Sequence, residues 1–188
     1  LFTIGQTPVW PAFLRATGAF ALFSLLASAT YLLNDVRDAA SDRLHPDKRN
    51  RPVASGRLSG GAATVWALAL MLAGLAGSFA LDLGFGALAT AFVVVTVAYT
   101  LGLKHVVLLD VMALSIGYVL RAVAGAAAIA VPASFWLATC TFLLALFLGL
   151  CKRRAELTGL DDAAAHRASL EEYSEPLLDQ LISAVTAS

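Results

Sequence analysis

The sequence predicts an all-α membrane protein, a polytopic bundle of transmembrane helices in a single domain, residues 1–188. Three observations predict this fold class. Hydrophobic residues make up 59% of the chain, with a mean hydropathy of +0.78. Charged residues make up only 14%, whereas a soluble domain carries about a quarter. Several apolar runs approach the ~20 residues that cross a bilayer core as a helix, and they lack the period-two alternation of a β-barrel.

Five apolar runs and the start of a sixth follow one another along the chain. The five predicted helices cover residues 12–33, 62–81, 85–103, 106–131 and 133–151. A sixth helix is expected to begin near Leu177, with Pro176 in its first turn. Because the chain stops inside that helix, we expect an internal fragment of a longer protein. Small residues in the spans, such as Gly74 and Ser78, predict close approach of neighbouring helices.

The charged residues gather in alternate connections. The connections at 82–84 and around Pro132 carry no Lys or Arg, whereas those at 34–61, 104–105 and 152–176 carry most of the charge. Chain connectivity puts these three basic connections on one face, which the positive-inside rule makes cytoplasmic. We therefore expect a protein of the cell inner or plasma membrane with its active site on that face. The net charge of zero gives no indication of nucleic acid binding.

An acidic cluster follows the first predicted helix. Asn34, Asp38 and Asp42 are spaced by four residues and share one face of a helix, and Asp35 flanks that face. Carboxylates gathered this closely repel one another unless a cation neutralises them. Carboxylate oxygens also suit Mg²⁺, which completes its shell with water and substrate phosphates. The cluster therefore indicates a Mg²⁺ site, with Asp35, Asp38 and Asp42 as catalytic candidates.

A basic segment comes directly after the acids. Its candidate phosphate-binding residues are Arg43, His45, Lys48, Arg49 and Arg51. Carboxylates for a metal beside cations for phosphate oxygens are what a Mg²⁺-diphosphate site requires. The alternative is a solvated helix end in which the acids pair with Arg37 and Arg43.

The two segments together resemble the first motif of the UbiA superfamily of intramembrane prenyltransferases. The resemblance rests on Asn34-Asp35-x-x-Asp38-x-x-x-Asp42 and on residues 48–56, which read KRNRPVASG. In that family the motif links the second and third of nine helices. The resemblance therefore implies a UbiA-like bundle in which this chain lacks the first helix and the C-terminal helices.

The second family motif departs from the common DxxxD pattern. Residues 152–157 read KRRAEL and residues 167–173 read RASLEEY. With residues 45–52 and 120–125, they are similar to the branch whose members join phosphoribosyl pyrophosphate to a polyprenyl phosphate. The resemblance implies that substrate is bound by Lys152, Arg153, Glu156, Arg167 and Tyr173. The alternative for Lys152 and Arg153 is a role as membrane anchors, which is the role we expect for Arg154.

Further polar residues lie in or beside the apolar helices. The resemblance implies a cavity-facing Tyr99 and Lys104; Lys104 would bind a phosphate, and Tyr99 would donate to one or anchor the interface. Ionisable residues inside membrane spans are functional candidates. We expect Asp110 to orient Lys104 or contact the metal site. For Arg121, both a lipid phosphate and an internal carbonyl remain open as partners.

These inferences predict a transferase of cell wall biosynthesis. It would move phosphoribose from phosphoribosyl pyrophosphate to a polyprenyl (decaprenyl) phosphate with Mg²⁺ as cofactor, releasing pyrophosphate. One alternative is a UbiA-type enzyme that moves a polyprenyl group from its diphosphate to an aromatic acceptor. Another is a cation-binding transporter. Transporters usually place their sites near the bilayer midplane, whereas the charges here gather at one interface, so an enzyme is favoured.

Overall fold

The computed structural model describes residues 9–159 and 173–188, except for the side chains of 158 and 159. Its helices are α1 (Val9–Leu44), α2 (Gly60–Leu81), α3 (Leu83–Leu101), α4 (Leu109–Ala128), α5 (Phe135–Gly159) and α6 (Glu175–Thr186). A 3₁₀ helix, Leu103–His105, connects α3 with α4. The predicted all-α bundle is confirmed, and helices α1 to α5 are long and apolar enough to cross a membrane.

The first helix is longer than its apolar run predicted. We expected it to end at residue 33, but α1 continues through the acidic cluster to Leu44, a total of 36 residues. Residues 34–44 contain neither Gly nor Pro, and Arg43 in the last turn complements the helix dipole. The hydropathy pattern had marked the edge of the lipid rather than the end of the helix. The acids therefore stand on a continuous helix.

The boundaries of α4 and α5 also differ from the predicted ones. The run 106–131 contains only Leu109–Ala128 as helix, because residues 106–108 form a turn in which Leu108 has φ 66°. The predicted run 133–151 continues as helix to Gly159. Lys152, Arg153 and Arg154 therefore lie on a helix and not in a loop.

The last helix begins close to its predicted start. Ser174 caps α6, since its hydroxyl accepts a hydrogen bond from the Leu177 N–H at 3.4 Å, and Pro176 lies in the first turn. An apolar cluster joins α6 to α4 and α5. Its buried members are Val111, Leu150, Tyr173 and Leu178.

Helix α1 packs closely against α2 because glycine leaves room for it. A Cβ atom at Gly74 would lie 2.6 Å from the Leu26 Cδ2 atom, and Leu26 is fully buried. The Ser78 hydroxyl donates to the Gly74 carbonyl at 2.7 Å, so it is hydrogen-bonded within α2 and needs no partner on α1. The small residues thus provide the close helix approach that the sequence predicted.

The interior of the bundle is aromatic where α1, α3 and α4 meet. The Phe23 ring centroid lies 5.5 Å from that of Phe85 and 5.3 Å from that of Phe92. Large apolar side chains also cover the outside of the helices, as a lipid-facing surface requires. They include Phe20, Trp66, Leu72 and Leu144.

Arg15 lies at the opposite end of the bundle from the acids. Its Nε donates to the Ala128 carbonyl at 2.7 Å, and its Nη2 donates to the Leu81 carbonyl at 3.4 Å. The guanidinium thus donates to carbonyls at the C-terminal ends of α2 and α4, which receive no hydrogen bond from an N–H of their own helix.

The connection from α1 to α2 folds back against the inner end of α1. Val53 and Ala54 are buried, and the Arg43 Nε donates to the Ala54 carbonyl at 3.1 Å. Gly56 has φ 79°, a conformation that glycine adopts without steric cost. This fold brings the basic segment alongside the acidic cluster.

Candidate functional site

Arg51 bridges two of the acids on α1. Its Nη1 donates to Asp35 Oδ1 at 2.8 Å and to Asp42 Oδ2 at 3.0 Å. Asp42 is buried, whereas the Arg51 and Asp35 side chains are 38% and 22% exposed. One guanidinium nitrogen therefore draws oxygens from two carboxylates together at the edge of the bundle.

Lys104 holds the other half of the acidic motif. Its Nζ forms an ion pair with Asp38 and a 3.4 Å hydrogen bond to Asn34 Oδ1. Lys104 is buried, at 6% exposure, because the 3₁₀ helix directs it toward α1. The motif is thus joined to the α3–α4 connection; the cavity-facing role expected for Lys104 stays a prediction.

The acids do not use the partners that the solvated-helix alternative gave them. Arg37 Nη2 donates to the Leu101 carbonyl at 3.3 Å, and Arg43 Nε donates to the Ala54 carbonyl. That alternative is therefore wrong about the pairing. The cations that neutralise the acids come from segments further along the chain, which a local reading of the motif cannot find.

The donor set fits a metal that arrives together with phosphate. Within residues 9–159 and 173–188, no three His, Cys, Asp or Glu side chains form a cluster that could hold a metal. The described residues therefore contain no preformed cage of three carboxylates. Mg²⁺ commonly takes only one or two carboxylates and completes its shell with water and substrate phosphates. Asp35 with Asp42, or Asp38 with Asn34, supplies oxygens of that kind.

A second charged network joins the first turn of α4 to α5 and to Tyr173. Asp110 is fully buried; its Oδ2 accepts from Arg153 Nε at 2.7 Å, and its Oδ1 accepts from the Tyr173 hydroxyl at 2.8 Å. Arg153 Nη1 also donates to Glu156 at 2.6 Å. Burial first, and then the hydrogen bond to Asp110, raises the pKa of Tyr173 above its ordinary value. The hydroxyl is therefore protonated and donates to the carboxylate.

This network shows which groups Asp110 contacts. We expected Asp110 to orient Lys104 or contact the metal site; its carboxylate accepts from Arg153 and Tyr173, and both expected roles stay predictions. Arg153, Glu156 and Tyr173 were predicted to bind substrate, and here they bind protein groups. Their contact with substrate stays a prediction.

The other predicted substrate-binding residues that the structure describes differ in their burial. His45 Nδ1 accepts from the Asp47 N–H at 3.2 Å. Lys48 and Tyr99 are half-buried, and Arg49 and Lys152 are exposed. Arg167 lies outside the described residues.

Two side chains acquire partners that the sequence did not specify. Arg154, expected to be an anchor, pairs with Glu175 at 3.0 Å and Asp179 at 2.9 Å and so ties α5 to α6. Arg121 lies over the Phe92 ring at 4.9 Å, and its Nε has no hydrogen-bond partner within the described chain. Of the two partners left open for Arg121, an internal carbonyl is not found at Nε among the described residues, and a lipid phosphate stays a prediction.

Sequence comparisons agree with the motifs. The model of the UbiA prenyltransferase family matches residues 1–170. A decaprenyl-phosphate phosphoribosyltransferase of Mycobacterium tuberculosis is 39% identical over 165 residues, which cover 87% of this chain and 55% of that protein. One of the same name from Corynebacterium glutamicum is 36% identical over 171 residues, covering 85% and 49%.

A relative with a different name is similarly close. The nodulation protein NoeC of Azorhizobium caulinodans is 40% identical over 161 residues, covering 82% of this chain and 48% of that protein. The chain thus spans about half the length of the curated relatives it matches.

Proposed function

Because this chain is an integral membrane protein that belongs to the UbiA prenyltransferase family, we propose that the whole protein transfers phosphoribose to a lipid phosphate. The donor is phosphoribosyl pyrophosphate, the acceptor is a polyprenyl phosphate of the decaprenyl type, and pyrophosphate is released. The observation that carries this choice is the 36–39% identity to decaprenyl-phosphate phosphoribosyltransferases over at least 85% of the chain.

The acidic motif is proposed to bind the diphosphate of the donor. Enzymes of this family generally depend on a divalent metal, and Mg²⁺ is the ion we assign here, with Asp35, Asp38, Asp42 and Asn34 as its candidate ligands. Bound there, it would neutralise the charge that develops on the departing pyrophosphate. The Asp35 and Asp38 side chains are 22% and 25% exposed, so the acids are accessible from the membrane surface.

Arg51 and Lys104 are proposed to change partners when the donor binds. In the structure both cations neutralise the acids. Once the acids hold a metal, the guanidinium and the ammonium can donate to phosphate oxygens instead. Charge stays balanced throughout, because the diphosphate brings the anions that the cations take up.

The proposed reaction is a substitution at the anomeric carbon of the ribose. An oxygen of the lipid phosphate forms a bond to the anomeric carbon. The bond between that carbon and the diphosphate oxygen breaks, and pyrophosphate leaves. The acceptor oxygen is already anionic, so no strong general base is required. Positive charge from the basic segment stabilises the departing group. The positive-inside rule supports a cytoplasmic location for this site.

A second candidate reaction is favoured by the family's description as prenyltransferases. It transfers a polyprenyl group from its diphosphate to an aromatic acceptor. The same acids would bind the diphosphate, but the electrophilic carbon would then belong to the lipid. The two reactions therefore differ in which molecule supplies the diphosphate.

Labelled donors distinguish the two reactions. Full-length protein in nanodiscs would receive ribose-labelled phosphoribosyl pyrophosphate, decaprenyl phosphate and Mg²⁺. We expect a labelled lipid and stoichiometric pyrophosphate, and no product from a polyprenyl diphosphate with aromatic acids. The absence of label in lipid, together with prenylation of an aromatic acid, would contradict the proposal.

A further inference from the structure

The turn that carries Lys104 ends in a strained residue. Leu108 has φ 66° and ψ −40°, a left-handed conformation that a branched side chain rarely adopts. Such conformations persist where surrounding contacts hold them in place. No side chain of its own turn caps α4 at this position. Its backbone N–H instead donates to the hydroxyl of Tyr173 at 2.8 Å.

The Tyr173 side chain is itself fixed by a hydrogen bond and by burial. Its hydroxyl donates to Asp110 Oδ1, and Arg153 fixes that carboxylate from the other oxygen. The ring is 5% exposed and belongs to the apolar cluster of Val111 and Leu150. Because the pKa of Tyr173 is raised by its burial, the hydroxyl keeps the proton that it donates. Tyr173 thus gives Leu108 a rigid acceptor from a distant part of the chain.

The strained turn directly follows the 3₁₀ helix that carries Lys104, and the N–H of Asp110 spans it by donating to the Val106 carbonyl at 3.2 Å. The N–H of His105 donates to the Gly102 carbonyl at 2.9 Å, and that of Val106 donates to the Leu103 carbonyl at 3.1 Å. Lys104 lies inside this series, four residues before Leu108. A change in backbone direction at Leu108 therefore displaces the 3₁₀ helix, and with it the ammonium that contacts Asp38 and Asn34.

We infer that Tyr173 is a positioning residue for the diphosphate site, acting through Leu108 on Lys104. Tyr173 touches no group of the acidic motif among the bonds described above. Its effect on diphosphate binding passes through the backbone of the α3–α4 connection. The inference rests on the proposed function only in taking a metal-bound diphosphate as the ligand near Lys104.

Binding of Mg²⁺-pyrophosphate tests this inference without relying on transfer. The affinity of full-length protein in nanodiscs would be measured by calorimetry for wild type, Tyr173→Phe, Lys104→Met and the double variant. Tyr173→Phe keeps the ring and removes only the hydroxyl. The Leu108 N–H then loses its acceptor and the buried Asp110 loses one donor, so we expect about tenfold weaker binding. Tyr31→Phe, an exposed tyrosine of α1, is the matched control and should bind like wild type.

The double variant separates positioning from an independent effect. If Tyr173 acts through Lys104, Tyr173→Phe weakens binding no further once Lys104→Met is present. If the double variant loses as much affinity as the product of the two single losses, the inference is overturned. Wild-type affinity in Tyr173→Phe would also overturn it. Tyr173→Phe should also speed amide exchange in residues 103–110 and leave α1 to α3 unchanged. Faster exchange throughout would mean general destabilisation and would equally overturn it.

The same experiment separates this inference from the proposed function. Wild-type protein that binds Mg²⁺-pyrophosphate but labels no lipid contradicts phosphoribosyl transfer and leaves the role of Tyr173 measurable. Lipid labelling with wild-type affinity in Tyr173→Phe supports the transfer and contradicts the role of Tyr173.

Discussion

The acidic motif and the Asp110 network both pair carboxylates with cations, but they differ in their exposure to solvent. At the motif, the Arg51 and Asp35 side chains are 38% and 22% exposed. In the network, the Arg153 and Asp110 side chains are 2% and 0% exposed. Ion pairs at a surface are weak and exchange readily, whereas removing one partner of a buried pair is costly. The comparison assigns ligand exchange to the exposed Arg51–Asp35 pair and structural support to the buried Arg153–Asp110 pair.

The largest expected effect comes from breaking the buried pair. Arg153→Met leaves Asp110 as an unpaired buried charge, so we expect a loss of about 3–5 kcal/mol in the free energy of unfolding. The measurement is reversible unfolding of the purified protein in mixed micelles. Arg154→Met is the matched control, because its partners Glu175 and Asp179 are more than half exposed. Equal losses in the two variants would contradict the distinction between buried and exposed pairs.

A smaller effect is expected in the motif, and there it falls on turnover. Asp38→Asn preserves the shape of the side chain but removes a candidate metal ligand, so we expect about a hundredfold lower turnover, comparable to losing a key electrostatic group. The unfolding free energy should fall by less than in Arg153→Met, because asparagine keeps an oxygen that accepts from the buried Lys104 ammonium. Asp82→Asn is the control, because Asp82 caps α3 at the far end of the bundle, and Asn caps a helix equally well. Parental turnover in Asp38→Asn would remove that carboxylate from the reaction.

The sequence predicted the spans well because apolar length is a local property. All five long helices were found from it. It missed the extension of α1 to Leu44, because residues 34–44 are mostly polar. Hydropathy reports that polarity but not whether the backbone is helical. The turn at Leu108 was hidden for the opposite reason: its residues are apolar and continue the hydrophobic run.

The candidate site was predictable in its acids but not in their partners. The four-residue spacing of the motif put Asn34, Asp38 and Asp42 on one helix face without further information. Lys104 lies 66 residues beyond Asp38, and Arg153 lies 43 residues beyond Asp110. Pairing over such separations depends on how the helices pack. One signal was available in principle, because an aspartate inside a membrane span requires a buried partner. Lys152, Arg153 and Arg154 were candidates for that partner.

The central claim is that the acids of α1 hold a divalent metal only together with a diphosphate. Electron paramagnetic resonance of Mn²⁺ as a substitute for Mg²⁺ tests it directly on full-length protein. We predict that wild type immobilises Mn²⁺ when pyrophosphate is present and binds it poorly without, and that Asp35→Asn combined with Asp38→Asn abolishes the immobilised signal. Tight Mn²⁺ binding without pyrophosphate, or an unchanged signal in the double variant, would contradict the account.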